Sequence, residues 1–207
     1  MTTKRKLPLP NPTPSQERFN RAVAAGSKGI QKAILDYATG KGGAGAREFG
    51  KRLTEILAER HGAAAALGRQ RAGSKGKRTR LDDYVGVTVM QREQAHLGKF
   101  VQEILLGRYT DEDGNAKVSQ LKRRAESYLG RMVGTANETF VMASGKEALF
   151  TWVLGGAEKH CSACPSLAAG SPYTSRTLPT MPKKNQTPCL MNCLCHLLRD
   201  DGMKGFE

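Results

Sequence analysis

The stretches HCSAC at residues 160–164 and CLMNCLCH at residues 189–196 contain every cysteine of the chain. The five residues are Cys161, Cys164, Cys189, Cys193 and Cys195. Thiolates are good ligands for zinc, and a structural zinc ion takes four ligands in a tetrahedron. A Cys-x-x-Cys step places two sulfurs on one side of a tight turn, and a later cysteine group can complete the site. The spacing therefore predicts a zinc knuckle that decides the fold of the C-terminal part.

The ligand set of this predicted zinc site is open at the level of sequence. The three earliest cysteines are the first three ligands, and Cys193 and Cys195 compete for the fourth place. His160 and His196 flank the cluster and are further options. Disulfide bonds and free thiols are the alternatives to a metal. The cysteine count is odd and no apolar run follows the basic N-terminal residues, so we expect a reducing compartment.

Length and composition limit the fold. A chain of 207 residues makes one domain or two small ones. The hydrophobic content is 39% and the aromatic content 6%, which argues against one large continuous core. No apolar run reaches the ~20 residues that a membrane-spanning helix needs. We therefore expect a protein that is soluble or held in an assembly.

The positive charge is unevenly distributed. The chain carries a formal net charge of +14, and residues 1–80 hold 18 Lys and Arg against 5 Asp and Glu. Residues 81–159 are close to neutral, with 10 basic against 11 acidic side chains. A basic segment attracts polyanions because binding to phosphates releases condensed counterions. The N-terminal part is therefore a candidate for non-specific DNA contact, and a solvated basic surface is the alternative.

The first 145 residues have the pattern of a helical protein. Alternating prolines predict an extended arm over residues 1–14. Ser15 is the predicted N-cap of the helix that follows it. Apolar residues at helical spacing predict four helices, over residues 15–38, 46–70, 81–106 and 117–143. We divide this part into a basic helical region, 15–80, and a second helical region, 81–145.

Residues 146–207 form the predicted Cys-rich module. Two short β-prone runs, 150–154 and 193–198, are expected to pair, with Cys193 and Cys195 on one side of the second. The segment between them, 165–188, is rich in Pro, Ser and Thr and is expected to be a loop. The predicted fold is mainly α, with a helical N-terminal region and a small C-terminal α+β zinc-knuckle module containing a short β-ribbon.

A basic linker joins the second and third predicted helices. It runs from Gly73 to Arg80 and carries Lys75, Lys77, Arg78 and Arg80. A chain rich in Gly and Ser adapts readily to another surface, so these four side chains are the candidate contacts to a DNA backbone. A solvated loop is the alternative interpretation.

The sequence offers no convincing catalytic set. Cys161 beside His160 resembles a nucleophile with its base, but neighbours in sequence rarely form such a pair. A catalytic zinc keeps an open coordination position, whereas a thiolate-rich supply can fill all four. We therefore expect a structural zinc and no enzymatic activity.

Three strings near the C-terminus resemble a known family. WVLG at 152–155, HCSACPSLA at 160–168 and TPCLMNCLCHL at 187–197 are similar to the C-terminal module of tailed-phage minor head proteins. These are head morphogenesis proteins similar to protein F of phage Mu. The family shows a Trp-containing strand, a Cys-x-x-Cys, a Pro-rich loop and a closing Asn-Cys-Arg-Cys. Here Leu194 replaces the usual Arg, and Cys189 takes an upstream ligand position. The resemblance covers about residues 120–200.

This resemblance implies a structural component of the virion, inside the head near the portal. Such a protein acts in head morphogenesis and in DNA packaging or delivery, and it is present in the host cytoplasm during assembly. The implied partners are the portal protein, the major capsid protein and the DNA backbone. The alternative is a zinc-containing nucleic-acid-binding regulatory protein, and a zinc hydrolase or nucleotide-modifying enzyme is a third, weaker option.

Overall fold

The computed structural model describes residues 13–41, 45–156, 159–184 and 186–206. The chain is mainly helical and has a two-stranded sheet near its C-terminus, which confirms the predicted fold class. The elements are α1 (Pro14–Ala38), α2 (Ala46–Arg71), α3 (Arg80–Leu105), α4 (Val118–Leu129), α5 (Met132–Ala143), β1 (Phe150–Val153), α6 (Ala163–Ala169) and β2 (His196–Arg199). None of the helices in these ranges is both long and apolar enough to cross a membrane.

Helix α1 begins two residues earlier than a Ser15 cap would place it. Thr13 is the N-cap, and its hydroxyl accepts a hydrogen bond from the backbone N–H of Gln16. Pro14 then occupies the first helical turn, where its fixed φ fits and its missing N–H costs nothing. The Ser15 prediction was therefore wrong. Residues 1–12 of the predicted arm, and residues 42–44 of the glycine-rich break after α1, lie outside the described residues.

Helices α2 and α3 pack closely side by side. Thr79 and Asp82 form a capping box at the start of α3, in which each side chain accepts a bond from the other residue's backbone. A Cβ on Gly86 would overlap the backbone of Ala58 in α2. The small residues therefore set how closely the two helices approach.

The predicted helix over residues 117–143 is in fact two helices. Helix α4 ends at Leu129 and α5 starts at Met132. Across the break, the Arg131 and Val133 N–H groups bond to carbonyls three residues earlier instead of four. Gly130 lies at this point, and glycine is a poor former of helix interiors. Leu129 and Met132 are both buried, so the core-facing side continues across the break.

One continuous core runs through the helical body, contrary to the expectation from composition. Phe49 of α2, Phe100 of α3 and Tyr128 of α4 lie within it, and the ring centroids of Phe49 and Phe100 are 6.1 Å apart. Seven of the twelve aromatic side chains belong to this core or pack against it. The expectation failed because composition does not tell where along the fold the aromatics lie.

The C-terminal module has its own smaller core. Strands β1 and β2 are antiparallel, with Trp152 opposite Leu197. The two predicted β-prone runs do pair, although β2 begins only at His196. Helix α6 and a 3-10 turn at Leu190–Asn192 flank the ribbon. The prediction of a loop from residue 165 was wrong for the first residues, because α6 continues to Ala169.

The chain returns to the helical body after β2. Asn137 of α5 donates its side-chain amide to the Phe206 carbonyl and accepts from the Phe206 N–H. The Phe206 ring is buried against Phe19 of α1, with 5.2 Å between the ring centroids. The guanidinium of Arg71 lies over the same ring. These contacts tie the end of the module to the first helix.

Candidate metal centre

Three separate segments bring the five cysteines together. Cys161 lies just before α6, and Cys164 lies in its first turn. Cys189 precedes the 3-10 turn, and Cys193 and Cys195 follow it on the way into β2. In Cys161, Cys164 and Cys189 the sulfur atoms all lie within 4.8 Å of one another, and the same holds for Cys164, Cys193 and Cys195. The cluster can therefore hold a metal ion.

Cys164 is the centre of this cluster, because it belongs to both groups. Its sulfur lies 3.2 Å from that of Cys161, 3.7 Å from that of Cys189 and 4.0 Å from that of Cys193. A tetrahedral site with metal–sulfur bonds of about 2.3 Å requires sulfur atoms about 3.8 Å apart. The Cys164–Cys189 and Cys164–Cys193 separations are close to this value, the Cys161–Cys164 separation is shorter, and among the described residues each converging set contains three sulfur atoms.

The cluster is embedded in the second core. Cys164, Cys193 and Cys195 are buried together with Trp152 and Leu197. Between the two later cysteines, Leu194 is 56% exposed, as expected for an extended segment with alternating sides. A metal bound here would be shielded from water on its inner side.

The thiols differ in acidity because they share one pocket. A hydrogen bond with the Cys164 side chain lowers the pKa of Cys161 to about 6. Burial raises the pKa of Cys193 to about 12 and raises the pKa of Cys164 as well. Cys161 is thus the most acidic of these three, and metal binding at the buried sulfurs would release protons.

The structure also places the other candidate ligands and an unpredicted neighbour. Within the described residues, the converging ligand atoms are all cysteine sulfurs, so neither His160 nor His196 joins a group. Thr187 was not singled out from the sequence. It is buried, and its hydroxyl lies 3.2 Å from the Cys189 sulfur. In the sequence, only the order Thr-Pro-Cys pointed to this contact, because a hydroxyl two residues before a thiol can reach its sulfur.

The predicted DNA-contacting side chains are exposed, but they are not equivalent. The backbone of the linker is held to α2, since Arg69 donates to the carbonyl of Lys77 at 2.8 Å. Arg78 pairs with Asp83, at 2.5 Å between Nε and Oδ1. Over the described part of the chain, Lys75, Lys77 and Arg80 make no ion pair. These three are therefore the cations available to a phosphate.

Comparison with protein-family models, with curated proteins and with solved structures finds no match to this chain.

Proposed function

We propose that the metal is a single structural zinc ion held by four cysteine thiolates, with Cys164 always among them. The observation that carries this proposal is the convergence of two thiol groups on Cys164. A donor set made only of sulfur suits zinc, and four such ligands leave no open position for catalysis. The ion would crosslink the start of α6, the 3-10 turn and the entry into β2. It would thereby stabilise a module whose own core is small.

Metal analysis tests the zinc assignment. Protein purified without oxygen should contain about one zinc per chain, and Cys164→Ser should lose it. Cys195→Ser is the matched variant, because its sulfur belongs to only one of the two groups. We expect Cys195→Ser to keep more zinc than Cys164→Ser. Protein without zinc, or with an equal decrease in both variants, would contradict the proposed ligand arrangement.

At the level of the whole protein, the proposed function is that of a minor head protein of a tailed phage. It would bind the portal protein and the major capsid protein and contact the DNA backbone without reading sequence. It would act in head morphogenesis and DNA packaging or delivery, inside the virion, without catalysis. The support is the family resemblance: Trp152, Cys161, Cys164 and the closing residues 192–195 all lie in one module. The basic N-terminal half suits a position facing packaged DNA.

Purified phage heads test this role directly. Heads isolated after induction of the strain that carries the gene should contain the chain, detected by mass spectrometry. The chain should also copurify with the portal protein of the same heads. Heads that lack the chain, together with no portal binding by the zinc-loaded protein, would exclude the proposal.

A zinc-containing nucleic-acid-binding regulatory protein is the second candidate. The observation that favours it is the exposed linker, where Lys75, Lys77 and Arg80 are free of ion pairs over the described residues. Such a regulator selects one duplex sequence through base contacts, whereas the head protein contacts phosphates only. Selection from a random duplex library separates the two, since a single enriched motif would support the regulator.

A further inference from the structure

An apolar groove lies on the helical body between α3 and α5. Helix α2 packs against both neighbours and contributes Arg69 to the groove, which has a volume of about 490 Å³. Leu81, Tyr84 and Met142 line it with exposed fractions of 68%, 67% and 71%. Large apolar side chains exposed together on a soluble fold indicate an interaction site.

The groove has the length of a short helix. Along α3 it runs from Leu81 to Arg92, eleven residues on. At 1.5 Å per residue this is about 16 Å, or three turns. Amphipathic helices bind such grooves through apolar anchors at helical spacing. The α3 wall can therefore face a helix of about three turns, and the α5 wall, from Glu138 to Ala143, covers about half of that length.

The charges around the groove favour an acidic occupant. The carboxylates at its lining are already paired, Asp82 with Arg69 and Glu138 with Lys184. Arg80 and Arg92, at the two ends of this part of α3, are exposed and make no ion pair in the ranges that the structure describes. A ligand with acidic residues toward both ends would meet these two guanidinium groups.

We propose that this groove is a docking site for an acidic amphipathic helix of a partner protein. The helix would place its apolar side on Tyr84 and Met142 and its carboxylates near Arg80 and Arg92. The site is on the opposite side of α5 from the cysteine module, because Phe140 and Val141 face that module while Met142 lines the groove. Its test is independent of the metal and of the proposed virion role.

Fluorescence anisotropy with two synthetic peptides tests the docking site on the full-length chain. The first is a labelled helical peptide of about 15 residues with Leu at helical spacing and Glu elsewhere. The second carries Lys in place of every Glu. The acidic peptide should bind at least about tenfold more tightly than the basic one.

Two groove variants and one control locate the binding. Tyr84→Ser with Met142→Ser should weaken the acidic peptide about tenfold or more, as expected when central anchors are removed. Arg92→Glu should weaken it through charge. Leu106→Ser is the control, because Leu106 is also 67% exposed but lies after α3 and does not line the groove. All of these side chains are on the surface, so circular dichroism should show unchanged helicity.

Four results would overturn the proposal of an acidic helix in this groove. They are no binding of the acidic peptide, equal binding of both peptides, equal binding by the groove variants, and an occupant of another kind. Sedimentation that shows a dimer dissolved by Tyr84→Ser would identify the occupant as a second copy of the chain. Loss of duplex DNA binding in the same variant, with peptide binding retained, would identify it as nucleic acid.

Discussion

His61 is a buried, neutral histidine that joins two helices. Its Nδ1 lies 2.7 Å from the Thr135 hydroxyl of α5, and its side chain is almost completely buried. Burial, assisted by the charge of Arg131, lowers its pKa from 6.5 to about 4. The charged groups around the adjoining cavity are Arg92, Glu93, Arg131, Glu138 and Lys184. Protonation of His61 is therefore opposed in the folded state.

Mild acid should consequently destabilise the fold through His61. The unfolded chain takes up this proton below about pH 6.5, whereas the folded chain does so only near pH 4. The stability that neutral His61 contributes is fully present above about pH 6.5. It is lost as the pH falls toward 4, and the loss is about 2 kcal/mol at pH 5. Urea unfolding of the wild type and His61→Gln at pH 7 and pH 5 measures this. The wild type should lose more than the variant, and equal losses would contradict the assignment.

Gly68 marks the closest approach of α2 and α5. A Cβ at this position would overlap the backbone carbonyl of Ala136. Gly68→Ala should therefore cost about 1–3 kcal/mol, as overpacking does. Gly98→Ala is the matched control, since nothing lies within 4 Å of a Cβ there, and it should stabilise α3 by about 0.5–1 kcal/mol. Thermal melts compare the two, and a Gly68→Ala protein as stable as wild type would refute the close contact.

At the scale of elements, the cysteine module has little regular structure. It contains one tryptophan, whose fluorescence reports on its core. Trp152 is the only tryptophan of the chain. It is buried with Cys164, Cys193 and Cys195, whereas the helical body has a separate core. The two-stranded ribbon alone is too small to be stable in water. We therefore expect a metal ion at the cysteine cluster, together with the contacts with α5, to supply most of the module's stability.

Removing the metal should thus unfold the module before the helices. A chelator should shift the Trp152 emission to longer wavelength and reduce far-UV helicity only slightly, because α1–α5 do not contain the thiols. Adding zinc back under reducing conditions should reverse the shift. An unchanged Trp152 emission at full chelation would show that the metal does not hold this core.

The sequence predicted the helices well where apolar residues recur at helical spacing over many residues. The predictions for α2 and α3 came within one residue at each end because apolar residues recur at helical spacing along both helices. The break at Gly130 was missed, because apolar residues continue at helical spacing across it. The cysteine groups predicted a candidate site, but the central place of Cys164 depends on how α6 and the 3-10 turn fold together.

At the scale of the whole molecule, the exposed cations of the linker and the apolar groove follow one another along the chain. The linker Gly73–Arg80 presents its cations at one end of the α2–α3 pair, while the apolar groove begins with the first residues of α3. Helix α5 lies between that groove and the cysteine module. The proposed DNA-contacting surface and the proposed docking groove are therefore neighbours, and they share Arg80.

DNA binding by the linker should be sensitive to salt and indifferent to sequence. Replacing Lys75, Lys77 and Arg80 with Ala should lower duplex affinity. It should also make the slope of log affinity against log salt shallower, by up to about 0.9 for each phosphate that is no longer neutralised. Anisotropy titrations at several salt concentrations give both quantities. Arg78→Ala is the control and should change the slope less, because Asp83 already pairs with Arg78. An unchanged slope in the triple variant would remove the linker from the interface.

The contact between Phe206 and Phe19 has a consequence for synthesis on the ribosome. The side of α1 that Phe206 covers must stay uncovered until that residue has emerged from the exit tunnel. At 5–20 residues per second, the delay is roughly 10 to 40 s. During that time the nascent chain exposes an aromatic surface that it cannot yet close. This interval is when a chaperone would be most useful to the protein.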